Sequence, residues 1–173
     1  MELVAEMTDL ELIRAGDTAE LVRRYYGPVF GLARRMLGSV PEARDAAQET
    51  FTRAIAHLRS FDPACSFRGW LFAIAANHVR DLLRKRRPGA LEGTREEEIP
   101  DLSLPDDRLL RDENRERLAS AIDRLPFDLK IVVALHFQQE LPHAEVALAI
   151  GLSVNAVRIR LYRALAALRK ELS

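Results

Sequence analysis

Apolar residues recur every three to four positions along most of this chain, the spacing of amphipathic helices. No segment alternates apolar and polar residues as a half-buried strand would, and β-branched residues are sparse. Thr18 to Leu37 reads as one helix, with Gly27-Pro28 expected to disturb it. Residues 41–59 place Ala43, Ala47, Phe51, Ala54, Ile55 and Leu58 on a single stripe. A long helix is expected from about Ser66 to Arg87, with Phe72, Ala75, Val79, Leu82 and Leu83 as its apolar face. Further helices are expected at about 107–124, 127–138, 142–150 and 154–172. The last would bury Val154, Val157, Leu161, Leu165, Leu168 and Leu172. Punctuation agrees with this division. Thr8-x-x-Glu11 and Ser39-x-x-Glu42 are capping boxes, Pro41 suits a first turn, Gly38 a helix end, and Asp62-Pro63 a break. The expected fold class is all-α.

Residues 88–106, PGALEGTREEEIPDLSLPD, interrupt the pattern with three prolines, two glycines and an acidic cluster. They predict a flexible acidic linker between a helical domain at 1–87 and a second at 107–173. Extended, such a linker spans on the order of 60 Å at about 3.3 Å per residue. That approaches two turns of duplex DNA at roughly 34 Å each.

Composition then removes several classes. An apolar share of 48% over 173 residues supports packed cores rather than disorder. One cysteine excludes an intrachain disulfide framework and a cysteine-based zinc cage, and fits a reducing compartment. No apolar run reaches the ~20 residues of a membrane helix. The acidic N-terminus lacks the basic start and apolar stretch of a signal peptide. A cytoplasmic protein without a cofactor is expected.

The formal charge sums to zero but is segregated. Residues 23–90 carry thirteen bases and five acids, and residues 91–125 eleven acids and six bases. From Val154 to Lys170 there are five bases and no acid. Two basic segments flanking an acidic one suit two separate anionic surfaces, of which nucleic acid is the common case.

The most specific local pattern is HAEVALAIGLSVNAVRIRLYRALAALRKEL. A short apolar helix, a turn at Gly151-Leu152-Ser153 and a longer helix make a helix-turn-helix. Gly151 supplies the left-handed turn conformation and Ser153 a helix cap. Asn155, Arg158, Ile159, Tyr162 and Arg163 share the outer face. Asn pairs with adenine, Arg with guanine, and Ile can touch a thymine methyl. Arg160, Arg169 and Lys170 are placed for phosphates.

The helix from Phe67 has aromatics at one end and bases at the other. One stripe holds Trp70, Ala73, Asn77, Arg80, Asp81 and Arg84. Aromatic platforms beside cations suit unpaired nucleic acid, because every base offers a face for stacking. Phe72 reads as core. The helix at 41–59 has a polar stripe of Asp45, Gln48, Glu49 and Thr52, either solvent-facing or a docking face for a basic protein.

Taken in order, these motifs resemble a bacterial sigma factor of the extracytoplasmic-function type. The likeness covers almost the whole chain. It runs through Glu42 to Ala54, through FRGWLFAIAANH from Phe67 to His78 with the bases at 80–87, and through Leu125-Pro126, Val146-Ala147, Gly151-Leu152-Ser153, Ala156-Val157-Arg158 and Arg160 to Ala164. The resemblance implies a factor that joins core RNA polymerase and directs it to promoter DNA. By it, Asp45, Gln48, Glu49, Thr52 and Arg53 meet the polymerase clamp helices. Asn77, with the Asp62–Phe67 loop including Cys65 and Ser66, and with Arg68 and Trp70, holds an extruded minus-ten base. Arg80, Arg84, Lys85, Arg86 and Arg87 hold the backbone. Ser153, Asn155, Arg158, Ile159, Arg160, Tyr162 and Arg163 face the minus-thirty-five element. An anti-sigma factor as restraining partner is also implied. Asn155-Ala156 and Ile159 depart from the family's usual Gly-Thr-like pair and small polar residue.

Two other classes compete. A dimeric helix-turn-helix regulator would read a palindrome without polymerase. An enzyme would need more than the scattered His57, His78, His136 and His143, which form no HExxH, and the chain holds no phosphate loop or nucleophile elbow. Cys65 reads as an incidental loop thiol, since a redox sensor needs a resolving partner.

Overall fold

The computed structural model describes residues 7–86 and 115–172. The expected linker at 88–106, residues 107–114 of the expected fifth helix, and Arg87 lie outside the described residues. Every regular element among the described residues is helical. The chain divides into two compact units, Met1–Val79 and Arg80–Ser173, each with its own apolar core.

The first unit holds α1 (Asp9–Ala15), α2 (Thr18–Leu37), α3 (Val40–His57), a 3-10 turn at Leu58–Ser60, and α4 (Phe67–Arg86) as far as Val79. The Thr8 capping box is made in full, so two N-terminal donors of α1 are satisfied reciprocally. Gly38, at φ 71°, ends α2 in the left-handed conformation, and Ser39 Oγ receives the Glu42 N–H at 3.5 Å to start α3. Only two residues join α2 to α3, which makes them packed neighbours in a helical hairpin. The buried face of α3 is Ala43, Ala46, Ala47, Phe51 and Ala54, and its four alanines let a neighbouring helix approach closely. From α2 come Leu21, Val29, Leu32, Ala33, Met36 and Leu37, and from α4 Phe67, Leu71, Phe72, Ala75, Ala76 and Val79.

Two expectations are corrected here. Pro28 does not disturb α2, which runs unbroken to Leu37. Gly27, Pro28 and Gly31 face solvent while Val29 and Leu32 are fully buried, so packing of the opposite face carries the helix past the missing N–H. The stripe assigned to α3 is also rotated. Ile55 is 46% exposed and Leu58 only partly covered, while Ala46 and Thr50 lie inside. Thr50 is accommodated because its hydroxyl donates to the Ala46 carbonyl at 2.7 Å.

In the second unit, α5 spans Arg115–Arg124, α6 Phe127–Val133, α7 His143–Ile150 and α8 Val154–Leu172. α6 runs on into one π-helical turn, Ala134–Gln138, where a plain helix was expected. α8 is the central strut, packed on α5, α6 and α7 through Val157, Leu161, Ala164, Leu165 and Leu168. Val154, expected inside, is 45% exposed. It occupies the first position of α8, and a helical side chain leans toward the N-terminus, here out over the turn rather than into the core.

Candidate nucleic-acid and partner interfaces

The turn between α7 and α8 is built as its residue types require. Gly151 sits at φ 69°, ψ 40°, a left-handed position that costs a side-chain-bearing residue roughly 1 kcal/mol or more. The Leu152 N–H returns to the Ala147 carbonyl at 3.0 Å, closing α7. Ser153 Oγ then accepts the Ala156 N–H at 3.1 Å and opens α8. The short α7 is thereby joined to the longer α8 by a capped three-residue turn, with Ala147 buried beside it.

Beyond that turn α8 presents the expected ridge. Asn155 and Arg158 are exposed, and Ile159, Tyr162 and Arg163 are partly exposed. Arg160 is placed differently. Its side chain is 12% exposed and its guanidinium reaches Asp128 on α6 at 3.6 Å, so it braces α8 against α6. Arg158 and Arg160 are two positions apart on the helix, enough to turn one outward and the other inward.

In the first unit the loop before α4 is self-organised. The Asp62 carboxylate accepts the Ala64 N–H and the Asp62 carbonyl accepts the Cys65 N–H, both at 2.9 Å. Ser66 Oγ accepts the Gly69 N–H at 3.1 Å and caps α4. Cys65 is exposed. Four aromatic rings converge there: Phe67 packs on Tyr25, Phe61 and Trp70 with ring centroids 5.6, 5.7 and 5.8 Å away. Phe67 is buried by these contacts and Phe72 is wholly buried, whereas Trp70 keeps part of its surface open. Arg68 is partly exposed and Asn77 is exposed, seven residues beyond Trp70 and on its face. Arg84, Lys85 and Arg86 are exposed and Arg80 is partly covered.

On α3, Asp45, Gln48 and Thr52 are exposed. Glu49 Oε1 pairs with Arg53 Nε at 2.6 Å, one turn on. That bond holds the Glu49 carboxyl below the usual range. Glu49 thus stays ionised, and Arg53 answers the charge of one of the stripe's two carboxylates.

Three features escaped the sequence reading. His136 and His143 meet with ring centroids 4.5 Å apart, His136 Nδ1 lying 2.8 Å from the Leu141 carbonyl. Burial, then His136, then Arg158 push the His143 pKa down. Leu148 on α7 is 78% exposed. Asp9 on α1 engages Tyr25 and Arg24 of α2. Only the histidine pair left a trace, in the seven-residue spacing across a turn. Among the described residues no cluster of three or more His, Cys, Asp or Glu side chains could hold a metal ion. No described helix is long and apolar enough to cross a membrane.

Comparison with known proteins adds an independent line. Residues 21–88 match Sigma-70 region 2, and residues 115–168 match Sigma-70 region 4. The chain is 32% identical over 176 residues to the ECF RNA polymerase sigma factor SigW of Bacillus subtilis (strain 168), covering 94% of each. It is 31% identical over 178 residues to the ECF RNA polymerase sigma-E factor of Escherichia coli (strain K12), covering 94% of this chain and 92% of that one. Among solved structures, CnrH in complex with the cytosolic domain of CnrY is similar with a TM-score of 0.66 and 32% identity. That match covers 90% of this chain and 86% of CnrH. The sigma factor RpoE from Bartonella quintana, solved with the anti-sigma factor NepR, shares the fold at a TM-score of 0.70 and 20% identity, covering 90% and 96%.

Proposed function

This chain belongs to the extracytoplasmic-function group of sigma-70 factors, and on that premise we propose how its surfaces divide the work of starting transcription. It is an initiation factor rather than an enzyme or a polymerase-independent regulator: it joins core RNA polymerase and directs it to promoter DNA.

In the proposed division, the domain at 107–173 reads duplex minus-thirty-five DNA through Asn155, Arg158, Ile159, Tyr162 and Arg163 in the major groove. The domain at 1–87 captures the opened minus-ten strand on Trp70 and Asn77, with Arg68 and the Asp62–Ser66 loop beside them. Arg80, Arg84, Lys85, Arg86 and Arg87 hold the backbone. Asp45, Gln48, Glu49, Thr52 and Arg53 dock on polymerase. The observation that carries this reading is the open ridge of α8, acid-free from Val154 to Lys170 and projecting Asn155 and Arg158 beyond a capped turn.

Neither basic face is large, so each domain alone binds weakly and with steep salt dependence. Tethering both to polymerase converts two weak contacts into one firm one through effective concentration. CnrH was solved with the cytosolic domain of another protein. A partner of that kind, an anti-sigma factor covering the polymerase- and DNA-facing residues, keeps this chain inactive in the cytoplasm until released.

Run-off transcription with core polymerase across a genomic library tests the reading. Wild-type chain should select a promoter subset, Asn77→Ala should bind but open poorly, and Arg158→Ala should lose minus-thirty-five discrimination. A chain that associates with polymerase yet initiates nowhere overturns it.

A further inference from the structure

Helix α1 lies outside the residues that match either sigma-70 region, yet its Asp9 bonds Tyr25 of α2, whose ring meets the aromatic start of α4. Tyr25 Oη on α2 donates to Asp9 Oδ2 at 2.5 Å. Arg24 Nη1 pairs with Asp9 Oδ1 at 2.7 Å, and Arg24 Nη2 donates to the Met7 carbonyl at 2.8 Å. Both oxygens of the Asp9 carboxylate are therefore held, one by each of two consecutive residues. Burial first, then the Asp9 hydrogen bond, push the Tyr25 phenol far up from its ordinary value, so the hydroxyl stays a donor.

The other end of this contact path is the Tyr25 ring. It meets Phe67 edge-on at 5.6 Å, and Phe67 in turn tilts against Trp70 at 5.8 Å, with Phe61 bracing both. An edge-to-face aromatic contact fixes separation well but lets a ring slide in its plane. Anchoring the para hydroxyl removes that freedom. Asp9 supplies the anchor, and Arg24 keeps the anchor itself still. The path Asp9–Tyr25–Phe67–Trp70 runs through three helices of the first unit.

We propose that Asp9 and Tyr25 are positioning residues for promoter opening, holding Phe67 and through it Trp70 in the orientation in which α4 meets unpaired DNA. The inference rests on the role proposed for α4. A base-stacking side chain serves opening best when its own rotamer is locked by surrounding packing and hydrogen bonds. Here the lock lies in a helix that carries no DNA-facing residue of its own.

Trp70 is the single tryptophan of the chain, so its fluorescence reads this device directly in the intact protein. Three variants separate the parts. Tyr25→Phe keeps the ring and removes the hydroxyl, Asp9→Ala removes the anchor, and Asp9→Asn keeps an acceptor. Tyr25→Phe and Asp9→Ala should shift Trp70 emission and raise its collisional quenching by acrylamide, and Asp9→Asn should restore most of the wild-type signal.

In holoenzyme, the first two variants should open a duplex promoter about tenfold more slowly, the scale of a hydrogen bond to a charged acceptor. On a template already unpaired across the minus-ten element they should come within about twofold of wild type, with affinity for core polymerase unchanged. A general loss of folding would instead weaken core binding and slow both templates alike. That outcome, or an unaltered Trp70 signal in Asp9→Ala, overturns the proposal. If wild-type chain initiates on neither template, the proposed function of α4 fails, while the Trp70 signal still decides whether α1 controls that residue.

Discussion

Arg158 and Arg160 offer the sharpest separation of recognition from architecture. On an ideal helix, side chains two positions apart point roughly 200° from each other. Arg158 is exposed on the outer ridge, while Arg160 has only 12% of its side chain open and faces Asp128. Replacing Arg158 by Ala should cost about 1–3 kcal/mol of promoter discrimination if its fork reads a base. That is roughly 5- to 150-fold in binding. Stability should move by less than about 0.5 kcal/mol, as for exposed positions generally. Arg160→Ala should behave in the opposite way. The pair at 3.6 Å with a partner 25% exposed sits between a surface ion pair, worth under about 1 kcal/mol, and a buried one, where losing a partner costs about 3–5. Adding the lost packing of its aliphatic stem, a destabilisation of about 1–2 kcal/mol follows.

Two measurements check this in the full chain. Urea unfolding should be followed by helix content, which senses both units, and by Trp70 fluorescence, which senses the first. Arg160→Ala should move the helical transition of the second unit and leave the Trp70 transition in place. Arg158→Ala should move neither. Holoenzyme binding to promoters altered one base pair at a time in the minus-thirty-five element should then lose discrimination at one position with Arg158→Ala and keep its full pattern with Arg160→Ala. Loss of base discrimination by Arg160→Ala at unchanged stability would refute the assignment, as would a silent Arg158→Ala.

Three further outcomes are expected. Ser153→Ala should cost about 1 kcal/mol through loss of the α8 cap, whereas Ser153→Asp should keep the cap yet weaken holoenzyme binding to a minus-thirty-five element by bringing a carboxylate toward phosphate, measurable as unfolding midpoint against promoter affinity. Burial, His136 and Arg158 depress protonation of His143, so the unfolded chain takes up that proton first as pH falls below the ordinary value of 6.5. Stability of the second unit should therefore decline from about that pH downward, and chemical denaturation across pH 8 to 5 should show the decline flattened in His143→Gln. Phe72→Ala, in a fully buried position of the first unit, should cost about 3–5 kcal/mol, and an unchanged Trp70 unfolding transition would contradict its place in the core.

Local chemistry made much of the fold legible. Caps and turns act within three or four residues, so Thr8, Gly38, Gly151 and Ser153 could be assigned from their neighbours alone, and each makes the capping contact its type implies. Periodicity placed α8 and most of its core because a helix packed on several sides must keep one stripe apolar. It failed at Val154 and Ile55, both near helix ends, where the neighbouring element runs out before the stripe does. It failed at Pro28 because the strength of burial on the far side of α2 is a tertiary quantity. Arg160 and Arg158 are the same residue type on one helix, and only the position of Asp128, some thirty residues earlier in the chain, tells them apart. The Asp9–Tyr25 bond was invisible for the same reason: nothing in either residue's neighbourhood names the other.

These misses share one physical rule. A side chain can serve DNA or polymerase only with groups that its own fold has not already engaged. Ser153 has its oxygen on the Ala156 N–H, so what it can still offer a phosphate is the hydroxyl proton. Asp62 has a carboxylate oxygen on the loop it shapes, and Phe67 has its surface inside the aromatic cluster. Arg53 answers Glu49 before it answers a partner, though both remain more than two-fifths exposed and can exchange that bond for another. The residues named by motif therefore sort into two kinds. Asp62, Ser66, Phe67, Ser153 and Arg160 build the surfaces, and Trp70, Asn155, Arg158 and Tyr162 keep part of their own surface exposed on them. Substitutions in the first kind should disturb stability first, and in the second recognition alone. A residue of the first kind whose loss left stability untouched while abolishing promoter reading would break the rule.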